Sequence, residues 1–228
     1  MQMFEFQQPI EIHGQLNPKL WRGTRLRKDV YRALMRIAGE FYKSLNVEAN
    51  VQDILITGSQ VNYNYGPNSD LDLHLVIDFA DVDCEGGARE LFDAKRQLWH
   101  QNHDITIHDI DVECYVEDVN DSTVSSTYSL LHDRWIDQPD PPETSFNEEE
   151  IEALTRHWEA KIEAAVDSGS WAKCRKVRAQ LKNFRVRSLA KGGEYSSGNL
   201  AFKALRNNGD IEKLMIAIRH YNDRKLSI

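Results

Sequence analysis

Two aspartates in an alternating segment are the residues of this chain whose type and spacing can do chemistry. Residues 70–78 begin in strict alternation of polar and apolar side chains. A period of two predicts a β-strand, with Asp70, Asp72 and His74 on one face and leucines on the other. Two carboxylates at this spacing point the same way, and carboxylate oxygens are the ligands that hard cations such as Mg²⁺ prefer. The pair therefore predicts a divalent-metal site.

A third carboxylate is expected from a later strand. Residues 105–107 and 110–116 form two apolar segments around a short polar turn, which predicts a hairpin. Asp111 and Glu113 face the same side of the second arm, because they are two residues apart. Either one can complete a site with the first two aspartates, and both stay candidates.

A glycine and a serine follow the preceding apolar segment. Residues 53–57 predict a short buried strand that ends at Gly58. Gly58 allows a tight turn, and Ser59 supplies a hydroxyl at the start of a predicted short helix. Backbone N–H groups at such a helix start bind phosphates. We therefore expect Gly58 and Ser59 to contact a nucleotide.

The order of these motifs resembles a known signature. Gly58-Ser59, ten intervening residues and Asp70-Leu71-Asp72 are similar to the motif of the DNA polymerase β-like nucleotidyltransferase superfamily. The resemblance covers roughly residues 26–120. It implies a mixed sheet with helices on one face, Ser59 at a triphosphate, and two Mg²⁺ (or Mn²⁺) ions bound by Asp70, Asp72 and a third acid. Asp111 has the apolar frame typical of the family, but Glu113 lies farther from the hairpin turn and is slightly favoured.

The resemblance also implies an activity. Members of the superfamily transfer a nucleoside monophosphate from a nucleoside triphosphate, such as ATP, to an acceptor and release pyrophosphate. The acceptor here is expected to be a tRNA or other RNA, a protein or a small molecule. Two alternatives stay open: a synthase that joins nucleotides into a second messenger, and a non-catalytic nucleotide- or protein-binding module on the same fold.

The C-terminal third differs from the rest in composition. Residues 1–150 contain 12 Lys and Arg against 28 Asp and Glu, whereas residues 151–228 contain 16 against 8. Proline-rich residues 138–147 predict a linker between a catalytic core, residues 1–137, and a helical lobe, residues 148–228. Within that lobe Arg178, Lys182 and Arg185 share one helical face, where they can bind the β- and γ-phosphates or an RNA backbone. A solvated helix face is the competing interpretation.

Hydrophobic periodicity predicts an α+β fold. Three- and four-residue repeats predict helices over residues 26–45 and 88–100, around the strands already described. Further helices are expected at about 170–190, 197–207 and 210–224. The result is a mixed sheet with helices on one face, followed by an all-helical lobe.

The composition is that of a globular protein. Charged residues make up 28% of the chain and hydrophobic residues 41%, with no apolar run of membrane-spanning length. The first ten residues lack the pattern of a signal peptide, so a cytoplasmic location is expected. Cys84, Cys114 and Cys174 lie far apart without a CxxC pair, which favours free thiols over disulfides or zinc.

Overall fold

The fold is described from a computed structural model that covers most of the chain. The described residues are 11–67, 69–82, 87–121, 126–141 and 146–227. They fall into two compact units, one spanning residues 11–142 and the other including residues 143–228. The boundary lies within the expected linker, of which residues 142–145 lie outside the described part.

The first unit is built on a mixed β-sheet. Its described strands are β1 (Trp21–Arg22), β2 (Arg25–Leu26), β3 (Val51–Thr57), β4 (Leu71–Ile77), β5 (Thr106–Ile107), β6 (Ile110–Asp118), β7 (Thr127–Ser129) and β8 (Arg134–Asp137). β1 and β2 pair with each other, and the other six form one sheet in the order β5-β6-β4-β3-β7-β8. Within it β4 and β6 are parallel, and the other neighbours are antiparallel. The mixed α+β class predicted from the sequence is confirmed.

The alternation of β4 separates a buried face from a polar face. Leu71, Leu73, Leu75 and Ile77 are at most 1% exposed, whereas the side chains between them are partly exposed. The buried leucines anchor the strand, because slipping by one residue would move them all to the polar face. Asp72 is thereby fixed on the polar face.

Two helices pack in the first unit, α1 (Lys28–Leu45) and α2 (Ala88–Asn102). Five buried residues of α1 recur every three or four positions, from Val30 to Leu45. Phe41 of α1 contacts Trp99 of α2, with ring centroids 5.4 Å apart. Trp99 also contacts Cys114 of β6, which lies opposite Leu73 of β4. The helices predicted over residues 26–45 and 88–100 are confirmed, and α2 contributes to the leucine side of the sheet.

The second unit is helical throughout its described residues. Its α-helices are α3 (Glu148–Asp167), α4 (Trp171–Gly192), α5 (Ser197–Asn207) and α6 (Asp210–Leu226). The side chains of Asn147, Ser170 and Ser196 cap three of them by accepting backbone N–H bonds. Their apolar faces form a core of Trp158, Ile162, Ala165, Cys174, Leu181, Leu205, Leu214 and Ile218.

A buried ion pair lies in this helical unit. Lys203 of α5 is 6% exposed, and its Nζ lies 3.3 Å from Oε2 of Glu194. Asn199 donates a hydrogen bond of 3.2 Å to the same carboxylate oxygen. Burial lowers the pKa of Lys203 to about 8, although Glu194 opposes that shift. Burial therefore outweighs the attraction of the partner charge.

No described helix is long and apolar enough to cross a membrane. Cys114 and Cys174 are free thiols, as expected, and both are buried. Burial raises the pKa of Cys114 to about 12, so this thiol stays protonated at neutral pH. Cys84 lies outside the described residues.

Candidate metal centre

The register of two parallel strands brings three carboxylates together. Asp72 of β4 lies opposite Glu113 of β6, and Asp70 immediately precedes β4. One carboxylate oxygen from each of the three residues lies within 4.8 Å of the others. Each of the three side chains is partly exposed, so the cluster is open to a ligand. The sequence predicted the face of each acid, and the parallel register supplies their proximity.

Asp111, the other candidate for the third acid, lies outside this cluster. Val112 is opposite Leu71, the first residue of β4, so Asp111 lies beyond the start of that strand. It pairs instead with Thr106 of β5 and is exposed. Of the two candidates, Glu113 is the one that the structure places beside the aspartates.

Gly58 forms a turn that favours glycine. It ends β3 with a φ of 84° and a ψ of −162°, a conformation that L side chains rarely adopt. A Cβ added here would overlap the Oδ2 atom of Asp72. Glycine therefore lets the chain pass directly against the Asp72 carboxylate. Ser59 follows at the start of a 3-10 helix, Ser59–Val61, and is 9% exposed.

Buried amides hold the loop that joins this turn to Asp70. Gln60 donates a hydrogen bond of 2.7 Å to the carbonyl of Ser69 and accepts one of 2.9 Å from Asn17. Asn62 donates to the carbonyl of Gly58 at 3.1 Å. These positioning residues were not predicted from the sequence. Their only signal is the presence of amides in a polar loop, which is common in loops of every kind.

Tyr115 holds Glu113 from the same face of β6. Its hydroxyl donates a hydrogen bond to the Glu113 carboxylate, and the Arg96 guanidinium lies 4.8 Å from the centre of its ring. Burial first, and then the negative charge of Asp72 and the bond to Glu113, raise the pKa of Tyr115 well above its usual value. The hydroxyl therefore stays a hydrogen-bond donor at neutral pH and orients the carboxylate.

His74 shares the polar face but is engaged with other residues. Its Nδ1 lies 3.0 Å from Oε2 of Glu117, and its Nε2 lies 3.3 Å from Oγ1 of Thr57. Its ring also stacks on that of Tyr115, with centroids 4.8 Å apart. His74 thus lies among Glu117, Thr57 and Tyr115 on the polar face.

The donor set of the cluster fits a hard divalent cation. Carboxylates this close repel one another in the ionised state, and a bound cation or a proton relieves that repulsion. All the side-chain donors contributed by Asp70, Asp72 and Glu113 are oxygens. Mg²⁺ and Mn²⁺ favour such ligands, whereas Zn²⁺ sites usually include nitrogen or sulfur.

The basic residues predicted to bind nucleotide lie on α4 of the helical unit. Arg178 and Lys182 are exposed, and Arg185 is half-buried. The Arg185 guanidinium lies 4.8 Å from the ring centre of Phe202, so part of this side chain packs within its own unit. A nucleotide-binding role for these three residues stays a prediction.

Searches of protein-family models, curated proteins and solved structures gave no significant match to this chain.

Proposed function

We propose that this protein is a metal-dependent nucleotidyltransferase. The observation that carries the proposal is the cluster of Asp70, Asp72 and Glu113, directly beside the turn at Gly58. A nucleotidyltransferase-type sheet orders these features in the same way: a glycine-serine turn, two aspartates on the next strand and an acid on a later one. The six-stranded mixed sheet of the first unit is compatible with that type.

In this proposal the carboxylates of Asp70, Asp72 and Glu113 would hold two Mg²⁺ (or Mn²⁺) ions. Bound there, such ions would neutralise the charge that develops on the attacking and leaving oxygens. Glu113 keeps its orientation through the hydroxyl of Tyr115. Asp72 is held opposite Glu113 by the pairing of β4 with β6, and its side chain packs against Gly58. These contacts fix the acids before the substrate arrives, which lowers the cost of organising the site.

The turn after β3 is the proposed contact for the triphosphate. Ser59 has a hydroxyl and a backbone N–H at the start of the 3-10 helix. The preceding residue, Gly58, lies against the Asp72 side chain. Such groups donate hydrogen bonds to phosphate oxygens. Within the helical unit, Arg178, Lys182 and Arg185 are proposed to bind the phosphates of an RNA acceptor. A protein or a small molecule remains an acceptor to test, as does a second nucleotide.

The test is transfer of label from nucleotide. The full chain is incubated with each α-labelled nucleoside triphosphate and Mg²⁺ or Mn²⁺, with and without total RNA and cell lysate. We expect label in RNA, in a protein band or in a new small molecule, and the fraction that carries it identifies the acceptor class. Label in a small molecule made from nucleotide alone would indicate the second-messenger synthase.

Two variants, one within the cluster and one outside it on a neighbouring strand, make the test specific. Asp72→Asn removes a carboxylate from the cluster. Asp111→Asn removes a carboxylate that lies outside the cluster, on the face of β6 that also carries Glu113. Transfer should vanish in Asp72→Asn and persist in Asp111→Asn. Equal transfer in both would overturn the proposed site. Metal-dependent nucleotide binding with no label in any fraction would favour the non-catalytic binding module instead.

A further inference from the structure

The cations of the acidic first unit are concentrated in one short segment. Residues 19–36 hold seven of the twelve Lys and Arg found in residues 1–150, together with one acid, Asp29. This segment includes the β1–β2 hairpin and the first half of α1. Concentrated positive charge in a unit that is otherwise strongly acidic requires an explanation of its own.

A pocket of about 730 Å³ opens between the hairpin, α1 and β7. Its lining residues are Arg25, Leu26, Lys28, Tyr31, Arg32, Tyr128 and Asp133. Among the residues that the structure describes, Arg27 has Asp29 as an ion-pair partner and Lys19 has Asp109. No described carboxylate lies within ion-pair distance of Arg25, Lys28 or Arg32. Three cations thus line one concave space together with a single acid, Asp133, and none of the three forms an ion pair with a described carboxylate.

This basic pocket is separate from the carboxylate cluster. Thr57 of β3 lies opposite Asp72, so these two side chains share the polar face of the sheet. The preceding residue, Ile56, points to the other face and lies opposite Tyr128. Tyr128 therefore reaches the pocket from the leucine side of the sheet.

The start of α1 adds to the positive potential of the pocket. Arg27 precedes the helix without a capping side-chain bond, so its first-turn N–H groups have no side-chain acceptor from that residue. The positive end of the helix dipole lies here, together with Lys28. Asp29 in the first turn offsets part of this positive potential, and a bound anion would offset more of it. The converging side chains and the helix start thus both favour an anionic ligand.

The pocket geometry points to a phosphate site: we propose that it binds phosphate groups, as carried by a free nucleotide or by single-stranded nucleic acid. Arg25 and Arg32 provide guanidinium groups that bind phosphate oxygens in pairs, and Lys28 provides a point charge. Tyr31 contributes an aromatic ring and a hydroxyl. This site does not depend on the proposed transfer reaction, because it uses none of the residues assigned to it.

The test measures binding without metal, so that the carboxylate cluster does not recruit phosphates. Anisotropy of a fluorescein-labelled short RNA is measured in EDTA at several salt concentrations, with AMP and pyrophosphate as competitors. For Arg25→Gln/Arg32→Gln we expect at least about tenfold weaker binding. The slope of log affinity against log salt should fall by about one to two, because two phosphate contacts are lost. Arg36→Gln, one turn farther along α1 and outside the pocket, should leave both quantities unchanged.

A variant that is expected to strengthen binding distinguishes a lost phosphate contact from a loss of folding. Asp133 is the only acid among the pocket-lining residues, and its Oδ1 accepts a hydrogen bond of 2.6 Å from the Tyr128 hydroxyl. Asn fits this position, since Asp133 has a φ of 50° and Asn tolerates the left-handed region. Asp133→Asn should therefore strengthen phosphate binding severalfold, by removing a negative charge from the pocket.

The competitors distinguish the two sources of phosphate. Displacement by AMP or pyrophosphate at concentrations near that of the RNA indicates a free nucleotide, whereas displacement only by unlabelled RNA indicates a nucleic-acid backbone. Either outcome supports the proposal if it depends on Arg25 and Arg32. Absence of binding in EDTA, or binding that is unchanged in the double variant and lost in Lys182→Gln, would overturn it. If the native protein binds RNA at this pocket but transfers no label, the proposed function is contradicted and the phosphate site is not.

Discussion

The carboxylate cluster and the buried Lys203–Glu194 pair gather charge in opposite ways. In the first unit Asp70, Asp72 and Glu113 place three like charges within 4.8 Å. In the helical unit Lys203 and Glu194 place opposite charges 3.3 Å apart. The pair brings unlike charges into contact, whereas the cluster brings like charges together.

The difference separates a structural use of charge from a functional one. A buried pair of opposite sign costs desolvation but compensates much of that cost internally. A cluster of like charges lowers stability unless a bound cation or a proton relieves the repulsion. If this distinction is right, removing one charge should have opposite effects in the two regions.

The largest effect on stability is expected from Glu194→Gln. This change keeps a side-chain oxygen for Asn199 but leaves the Lys203 ammonium without its anion. We expect the free energy of unfolding to fall by about 3 kcal/mol, the usual cost of breaking a buried pair. Chemical denaturation followed by circular dichroism measures it. Glu152→Gln on α3 breaks the exposed pair with Arg156 and should cost at most about 0.5 kcal/mol. Equal losses in the two variants would contradict the structural role of the buried pair.

The same pair predicts a rise in stability at alkaline pH. The pKa of Lys203 is about 8 in the folded protein, and the ordinary lysine value is 10.5. Between these values the unfolded chain binds more protons, so stability increases as the pH rises through this window. The gain approaches about 3 kcal/mol at its upper end. It should appear as the difference between the native protein and Lys203→Met/Glu194→Gln, because other groups also titrate there. A flat difference from pH 7.5 to 10.5 would show that Lys203 has an ordinary pKa.

In the cluster, the geometry of Asp72 is most sensitive to Gly58. Gly58→Ala places a methyl group against the Asp72 carboxylate and strains a positive-φ turn. A carboxylate displaced by about 1 Å should reduce the proposed transfer roughly 100-fold, even if the variant remains folded. Gly39→Ala on α1 is the matched control, since its Cβ meets no atom within 4 Å. That variant should keep its activity and gain up to about 1 kcal/mol of stability. If Gly58→Ala retains transfer activity, the conformation of this turn is not required for the proposed reaction.

The sign of the charge effect is tested most directly by Asp72→Asn. In EDTA we expect this variant to be more stable than the native protein, because like-charge repulsion is reduced. Addition of Mg²⁺ or Mn²⁺ at ten times the dissociation constant should stabilise the native protein by about 1.4 kcal/mol and leave the variant nearly unchanged. Thermal unfolding with and without metal measures both effects. A native protein that is indifferent to either ion would remove the support for a metal site.

The sequence predicted the elements around the cluster better than the contacts within it. Alternation in β4 and helical periodicity in α1 are local patterns, and both elements lie within two residues of their predicted bounds. The same holds for the hairpin arm that carries Glu113. By contrast β7 and β8 were missed, because strands of three and four residues are too short to show a period.

Contacts between distant residues have no signature in one sequence. The choice between Asp111 and Glu113 depends on the parallel register of β4 and β6, which is fixed by packing of their buried faces. The burial of Lys203 was missed for a related reason: a lysine on a helix is usually exposed, and only the packing of the four helices encloses this one. The register between two strands and the burial of a helix side chain both depend on tertiary packing.

The smallest change tests whether the cluster is finely oriented or only highly charged. Tyr115→Phe removes the hydroxyl that donates to Glu113 and keeps the ring beneath the Arg96 guanidinium. The charge of the three acids is unaltered, so metal should still stabilise the protein. Loss of one hydrogen bond to a charged group should reduce transfer about tenfold. Tyr42→Phe removes a comparable bond of 2.7 Å to the carbonyl of Ala49 and should leave transfer intact. If Tyr115→Phe retains full activity while Asp72→Asn is inactive, the site works through its charge alone, and orientation by Tyr115 is not part of it.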